Sequence, residues 1–209
     1  MTARRVLVIS AGLRTPSSTR LLADRLGAAA QGALADRGQA AEVSTVELRE
    51  HARDLTTMLL TGAPTPAVDD LFARVQAADA VILVTPIYSG AYTGMVKDLV
   101  DLLPEDALAG VPVLMGGTGG TVRHALALEH TLRPLLGHVH AVTVPTDVFA
   151  ATEDFGAAAV DAGAQGADGL DGRVRRAARE LADLVATRAP RVARDPFDLS
   201  DVERLLSEA

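Results

Sequence analysis

Short aliphatic runs recur along the chain at Val6–Ile9, Val43–Leu48, Ala80–Val84 and Val111–Met115. The third, "AVILV", has no polar position at all, which fits a parallel strand covered on both faces. A fifth segment, "HVHAVTV" over His138–Val144, alternates and suits a strand at a sheet edge. Between these runs the apolar period becomes helical. Leu22, Leu26, Ala30 and Ala33 form one helix stripe, as do Val96, Leu99, Val100 and Leu103, and again Leu128, Leu132 and Leu135. Strand and helix alternate five times. That order predicts an α/β fold, a doubly wound five-stranded parallel sheet with helices on both faces in three α/β/α layers.

Two stretches fall outside the alternation. Thr152–Gly172, "TEDFGAAAVDAGAQGADGLDG", carries five glycines and reads as a surface loop, either a lid or disordered. The tail after Arg188 holds two prolines, then Ser200 with Glu203 three residues on, a capping box for a short helix through Val202, Leu205 and Leu206. The expected organisation is one domain over 1–188 with a tail over 189–209.

Composition narrows the function classes. A length of 209 residues suits one large domain, and 48% hydrophobic residues can fill its core. A net charge of -7 argues against a general nucleic-acid binder, which needs clustered Lys and Arg. There is no cysteine, so disulfides, thiolate metal sites and thiol nucleophiles are excluded. No apolar run is long enough to span a bilayer, so no membrane association is expected. The basic start "MTARR" leads into an apolar stretch too short for a signal peptide, and the expected location is cytoplasmic. His124, His130, His138 and His140 cluster in sequence, but no HExxH pattern accompanies them and no metal is expected.

Ligands bind open parallel sheets at the carboxyl ends of the strands, and three loops at that edge are unusual. The first, "SAGLRTPSST", offers Ser10, Gly12, Arg14, Ser17, Ser18 and Thr19 ahead of a helix. Hydroxyls, a guanidinium and free amides at a helix N-terminus suit a phosphate, with Gly12 allowing close backbone approach. Neither a Walker loop nor a GxGxxG fingerprint is present. The second loop, "TPIYSGAYTG", contains Pro86, Ile87, Tyr88, Ser89, Gly90 and Tyr92. It holds both of the chain's tyrosines, in keeping with a flat aromatic ligand. The third, "GGTGGT", places Gly116, Gly117, Thr118, Gly119 and Gly120 between a strand and a helix, where four glycines in five positions imply that something approaches the backbone.

Together these loops resemble the NAD(P)H-dependent FMN reductase family of flavodoxin-like fold, most closely the flavin reductases that serve two-component monooxygenases, including the alkanesulfonate-utilisation type. "SAGLRTPSST" resembles the family's phosphate loop, "TPIYSGAYTGMVKDLVD" its T-P-x-Y…G…K segment, and "GGTGGTVRHALALEHTLRPLLG" its glycine loop and following helix. Gly12 stands where serine is common, which assigns a hydroxyl contact to Ser10. Ser89 stands where related quinone and azo reductases often have Asn. The resemblance spans Arg5 to Phe149.

That resemblance implies FMN as cofactor, with its phosphate at Ser10–Thr19 and its ring between the Pro86–Tyr92 and Gly116–Gly120 loops. It implies hydride transfer from NADPH or NADH to flavin N5, which asks no catalytic acid or base of the protein. It also implies a homodimer or homotetramer, and a flavin-dependent, luciferase-like monooxygenase that receives reduced FMN. Backbone N–H groups at Gly119 and Gly120 are expected to face the flavin N1–O2 edge, so that Gly119→Val would harm binding more than folding. The rival readings are a quinone, azo or nitro reductase with tightly bound FMN, a flavodoxin-like electron carrier, and a redox-inactive FMN-binding module.

Overall fold

The structure is a computed structural model that describes residues 2–155 and 169–191. Its sheet runs β2-β1-β3-β4-β5, every pairing parallel, from β1 (Arg4–Ser10), β2 (Ala41–Glu47), β3 (Ala80–Pro86), β4 (Pro112–Gly119) and β5 (Val142–Thr143). A sixth strand, β6 (Val148–Ala151), also pairs with β4, farther along the edge that β5 uses. Five strands were expected and six are found. The fifth position in the sheet is divided between β5 and β6, with Pro145, which has no N–H for the ladder, in the gap. His138–Val144 is therefore not a continuous strand. His138 ends a helix and His140 adopts a left-handed turn with φ 57°.

Alternating side chains send the sheet into two cores. Val6, Val8, Ile82, Val84 and Leu114 meet α1 (Ser18–Ala35) and α6 (Leu170–Ala186) on one face. Leu7, Ile9, Val81, Leu83, Val113 and Met115 meet α2 (Leu48–Thr61), α3 (Pro66–Ala77), α4 (Gly94–Leu102) and α5 (Arg133–His138) on the other. Every residue of β3 is buried, as its unbroken apolar run requires. The α1 stripe of Leu22, Leu26, Ala30 and Ala33 is buried as read from its spacing. In the stripe through Leu128, Leu132 and Leu135 the first two are buried as read, whereas Leu135 is only partly buried. A π turn at Leu128–Leu132 widens the helix by a residue, so Leu136 takes the buried place expected for Leu135.

The loop expected over Thr152–Gly172 is shorter at both ends. Thr152–Phe155 forms a 3-10 turn and Leu170–Gly172 already belong to α6. Residues 156–168, like the tail helix at Ser200 and Glu203, lie outside the described residues.

The break between β5 and β6 holds a carboxylate. Burial pushes the Asp147 carboxyl above the usual carboxylate range, Arg133 and Arg173 opposing the shift and Glu129 adding to it. The fold thus favours the neutral acid. Its contribution to stability is fully present below the ordinary carboxylate pKa and is lost as pH rises through the raised folded value. Asp147→Asn should therefore melt higher than the wild type at neutral pH and show no such gain at acid pH. Melting curves at both pH values check this, and an equal shift at both would contradict it.

Candidate functional site

The carboxyl edge of the sheet opens into a cleft of about 490 Å3 between the β1–α1 loop and the ends of β3 and β4. That size is within the roughly 300–1,000 Å3 of small-molecule sites. From the first loop, Arg14, Ser17, Ser18 and Thr19 line it. Ser17 caps α1, its Oγ accepting the Arg20 N–H at 3.2 Å. A Cβ at Gly12 would run into that Oγ, so the glycine makes room for the capping serine. Thr19 is buried and its Oγ1 lies 2.8 Å from Thr118 Oγ1, which ties the start of α1 to the end of β4. Arg14 is exposed, and among the described residues it makes no hydrogen bond or ion pair. Ser10 is fully buried and does not line the cleft, and its Oγ has no hydrogen-bond partner.

From the second loop, Pro86, Ile87 and Tyr88 line the cleft. The Ile87 N–H donates to Thr118 O at 2.8 Å, so this loop and the third are hydrogen-bonded together. Tyr88 and Ala91 exchange backbone hydrogen bonds across Ser89 and Gly90, both at positive φ (51° and 82°). This tight turn separates the tyrosines. Tyr88, half exposed, stands on the cleft, whereas Tyr92 packs against the core cluster. Of Tyr88, Ser89, Gly90 and Tyr92, all expected at a ligand, Tyr88 alone lines the cleft.

The third loop differs most. Gly116 to Gly119 are the last residues of β4, not a loop. A Cβ at Gly116 would lie 3.0–3.1 Å from Val84 and Leu26, and one at Gly117 would lie as close to Leu128. These two glycines admit helices onto both faces of the sheet and are absent from the cleft. At Gly119 a Cβ would meet Phe149 Cζ at 2.8 Å, whereas at Gly120 nothing lies within 4 Å. Thr118, Gly119 and Gly120 do line the cleft. The helix expected after them opens as a single 3-10 turn, Val122–His124.

Four lining residues escaped the sequence reading: Leu13, Pro16, His124 and Thr152. Leu13 and Pro16 sit inside the first loop but carry none of the polar chemistry sought there. His124 follows the glycines by four positions and was weighed only as a metal ligand. Thr152 follows β6, so reading "VFAA" as a strand would have placed it on the ligand-binding edge.

The cleft combines the capped start of a helix, a guanidinium with no partner among the described residues, an exposed aromatic ring and two glycines. Among the described residues no carboxylate lines it. These donors fit a phosphorylated flavin: Arg14 and the α1 N-terminus would hold its phosphate, and Tyr88 with Gly119 and Gly120 would flank its ring. A doubly wound parallel sheet with such a cleft at its carboxyl edge is a flavodoxin-like oxidoreductase scaffold.

Known proteins narrow this further. Residues 4–156 match the family model for NADPH-dependent FMN reductase, and the chain belongs to that family. It is 35% identical over 153 residues to an FMN reductase (NADPH) of Pseudomonas aeruginosa, covering 72% of this chain and 78% of that protein. It is 38% identical over 147 residues to the NADH-dependent FMN reductase SfnE of Pseudomonas putida, covering 69% of this chain and 75% of that protein. An oxidoreductase structure from Corynebacterium diphtheriae superposes with a TM-score of 0.82 at 42% identity, over 90% of this chain and all of that one. The chain is thus an NAD(P)H:FMN oxidoreductase with FMN and a nicotinamide nucleotide as its cofactors. Among the described residues no helix is long and apolar enough to cross a membrane.

Proposed function

We propose that the protein reduces FMN bound in this cleft at the expense of NADPH or NADH and passes the reduced flavin to a flavin-dependent, luciferase-like monooxygenase in the cytoplasm. When bound, the flavin supplies the redox chemistry itself. The chain's own residues bind and orient. Arg14, Ser17 and Ser18 take the phosphate, Thr19 and Thr118 brace that loop against β4, and Tyr88 covers one face of the ring. The observation that carries the release of flavin is the open mouth, where Leu13 and Tyr88 are each 50% exposed. A flavin seated there keeps an edge in water and can leave.

Val122 and Leu126, 55% and 66% exposed, flank the lining residue His124 in sequence and add exposed apolar surface to that of the rim residues Leu13 and Tyr88. A second copy of the chain covering the rim fits a homodimer or homotetramer, which sedimentation at micromolar protein would reveal.

The functional reading is tested by the flavin itself. The purified protein should be nearly colourless, should oxidise NADPH or NADH only when FMN is added, and should drive a flavin-dependent monooxygenase through a dialysis membrane. Stoichiometric FMN surviving purification, with quinone or azo-dye reduction and no diffusible reduced flavin, would instead establish the tightly bound reductase.

A further inference from the structure

The loop proposed to hold the phosphate is weakly tied to its own strand and helix. Among the described residues, none of Gly12 to Pro16 takes part in a backbone–backbone hydrogen bond. Their single side-chain tie comes from another βα unit, where Arg49 Nη1, in the first turn of α2, donates to Thr15 Oγ1. Arg49 Nε lies 2.7 Å from Glu47 Oε2, an ion pair without the alignment of a hydrogen bond. The other oxygen of Glu47 accepts from Arg20 Nη1 at 2.7 Å, and Arg20 Nε reaches Asp24 at 2.8 Å. The Glu47 side chain is only 15% exposed, unlike an ordinary surface ion pair.

We propose that Arg49 is a positioning residue for FMN, fixing the Arg14–Pro16 stretch through Thr15 so that Arg14, Ser17 and Ser18 meet the phosphate already ordered. The proposal rests on the phosphate lying at this loop. A free loop would have to be ordered on binding, and that entropy is subtracted from affinity. The clamp removes the cost beforehand. It also leaves three guanidiniums, Arg14, Arg20 and Arg49, against two carboxylates, so the loop faces the incoming dianion with surplus positive charge. A functional constellation held by a second layer of contacts is the general pattern for such sites.

The test uses FMN and riboflavin titrations of the flavin-free protein. Arg49→Ala should weaken FMN about tenfold and riboflavin less than about twofold, because only the phosphate contact depends on the clamp. Thr15→Val keeps the arginine and removes its acceptor, and should reproduce most of that loss. Thr15→Ser keeps the hydroxyl and should bind FMN as the wild type does. Combining Arg49→Ala with Thr15→Val should cost no more than Arg49→Ala alone, since both cut one link. Additive losses, an unaffected Thr15→Val protein, or equal weakening of riboflavin would each overturn the positioning role. Arg14→Ala in the same titrations separates the two levels. If it still weakens FMN selectively while the Arg49 and Thr15 variants do not, the clamp alone is wrong. If none is selective, the phosphate is not held here and the proposal falls with that reading.

Discussion

Arg14→Ala should weaken FMN by about ten- to a hundredfold and leave riboflavin nearly untouched. The guanidinium is exposed on the cleft and has no protein partner among the described residues, so its removal strands no buried group and costs the fold little. The loss comes from the ligand side. A charge-assisted hydrogen bond to a phosphate contributes about 1.5–3 kcal/mol, which sets that range in affinity. Riboflavin lacks the phosphate and serves as the internal control. Fluorescence titration with both flavins measures the ratio directly, and parallel weakening of the two would show that Arg14 acts through folding.

The second large effect separates neighbouring glycines. Gly119→Val puts a branched side chain where Phe149 Cζ already lies 2.8 Å from the Cβ position, and Phe149 is 4% exposed. Overpacking of this kind costs about 1–3 kcal/mol, which at this chain length lowers the melting temperature by roughly 2–12 °C. The sequence had led to the opposite expectation for Gly119, that folding would be spared. A Cβ at Gly120 would meet nothing within 4 Å, so Gly120→Val should leave the flavin-free melting temperature unchanged while weakening FMN and riboflavin together. Melting curves and flavin titrations on both variants check the pair. A Gly120→Val protein that binds flavin normally would remove this loop from the ring-binding face.

What the sequence could show follows from the range of the forces involved. Burial of a strand on both faces leaves a local trace, so "AVILV" located β3, and the stripe through Leu22 and Leu26 located the buried face of α1. The first loop's place at the cleft was legible because its serines and arginine stand together ahead of a helix, which is a local feature too. Tertiary causes left no such trace. Gly116 and Gly117 are glycines because Leu26, Val84 and Leu128 arrive from distant parts of the chain, and from sequence alone they read as loop. Tyr88 and Tyr92 look equivalent until the Ser89–Gly90 turn sends them apart. The strand at Val148–Ala151 was missed, because a proline between two apolar stretches does not say whether pairing resumes after it. The Arg49–Thr15 tie spans 34 positions between separate βα units, beyond any local pattern.

The central claim is that FMN binds with its phosphate at the start of α1 and its ring toward Tyr88 and Gly120. A crystal structure of the protein soaked with FMN tests it most directly. The account predicts phosphate density within hydrogen-bond reach of Arg14, Ser17 and Ser18, and ring density against Tyr88. A flavin seated elsewhere, or reversed with its phosphate at the open mouth, would contradict it.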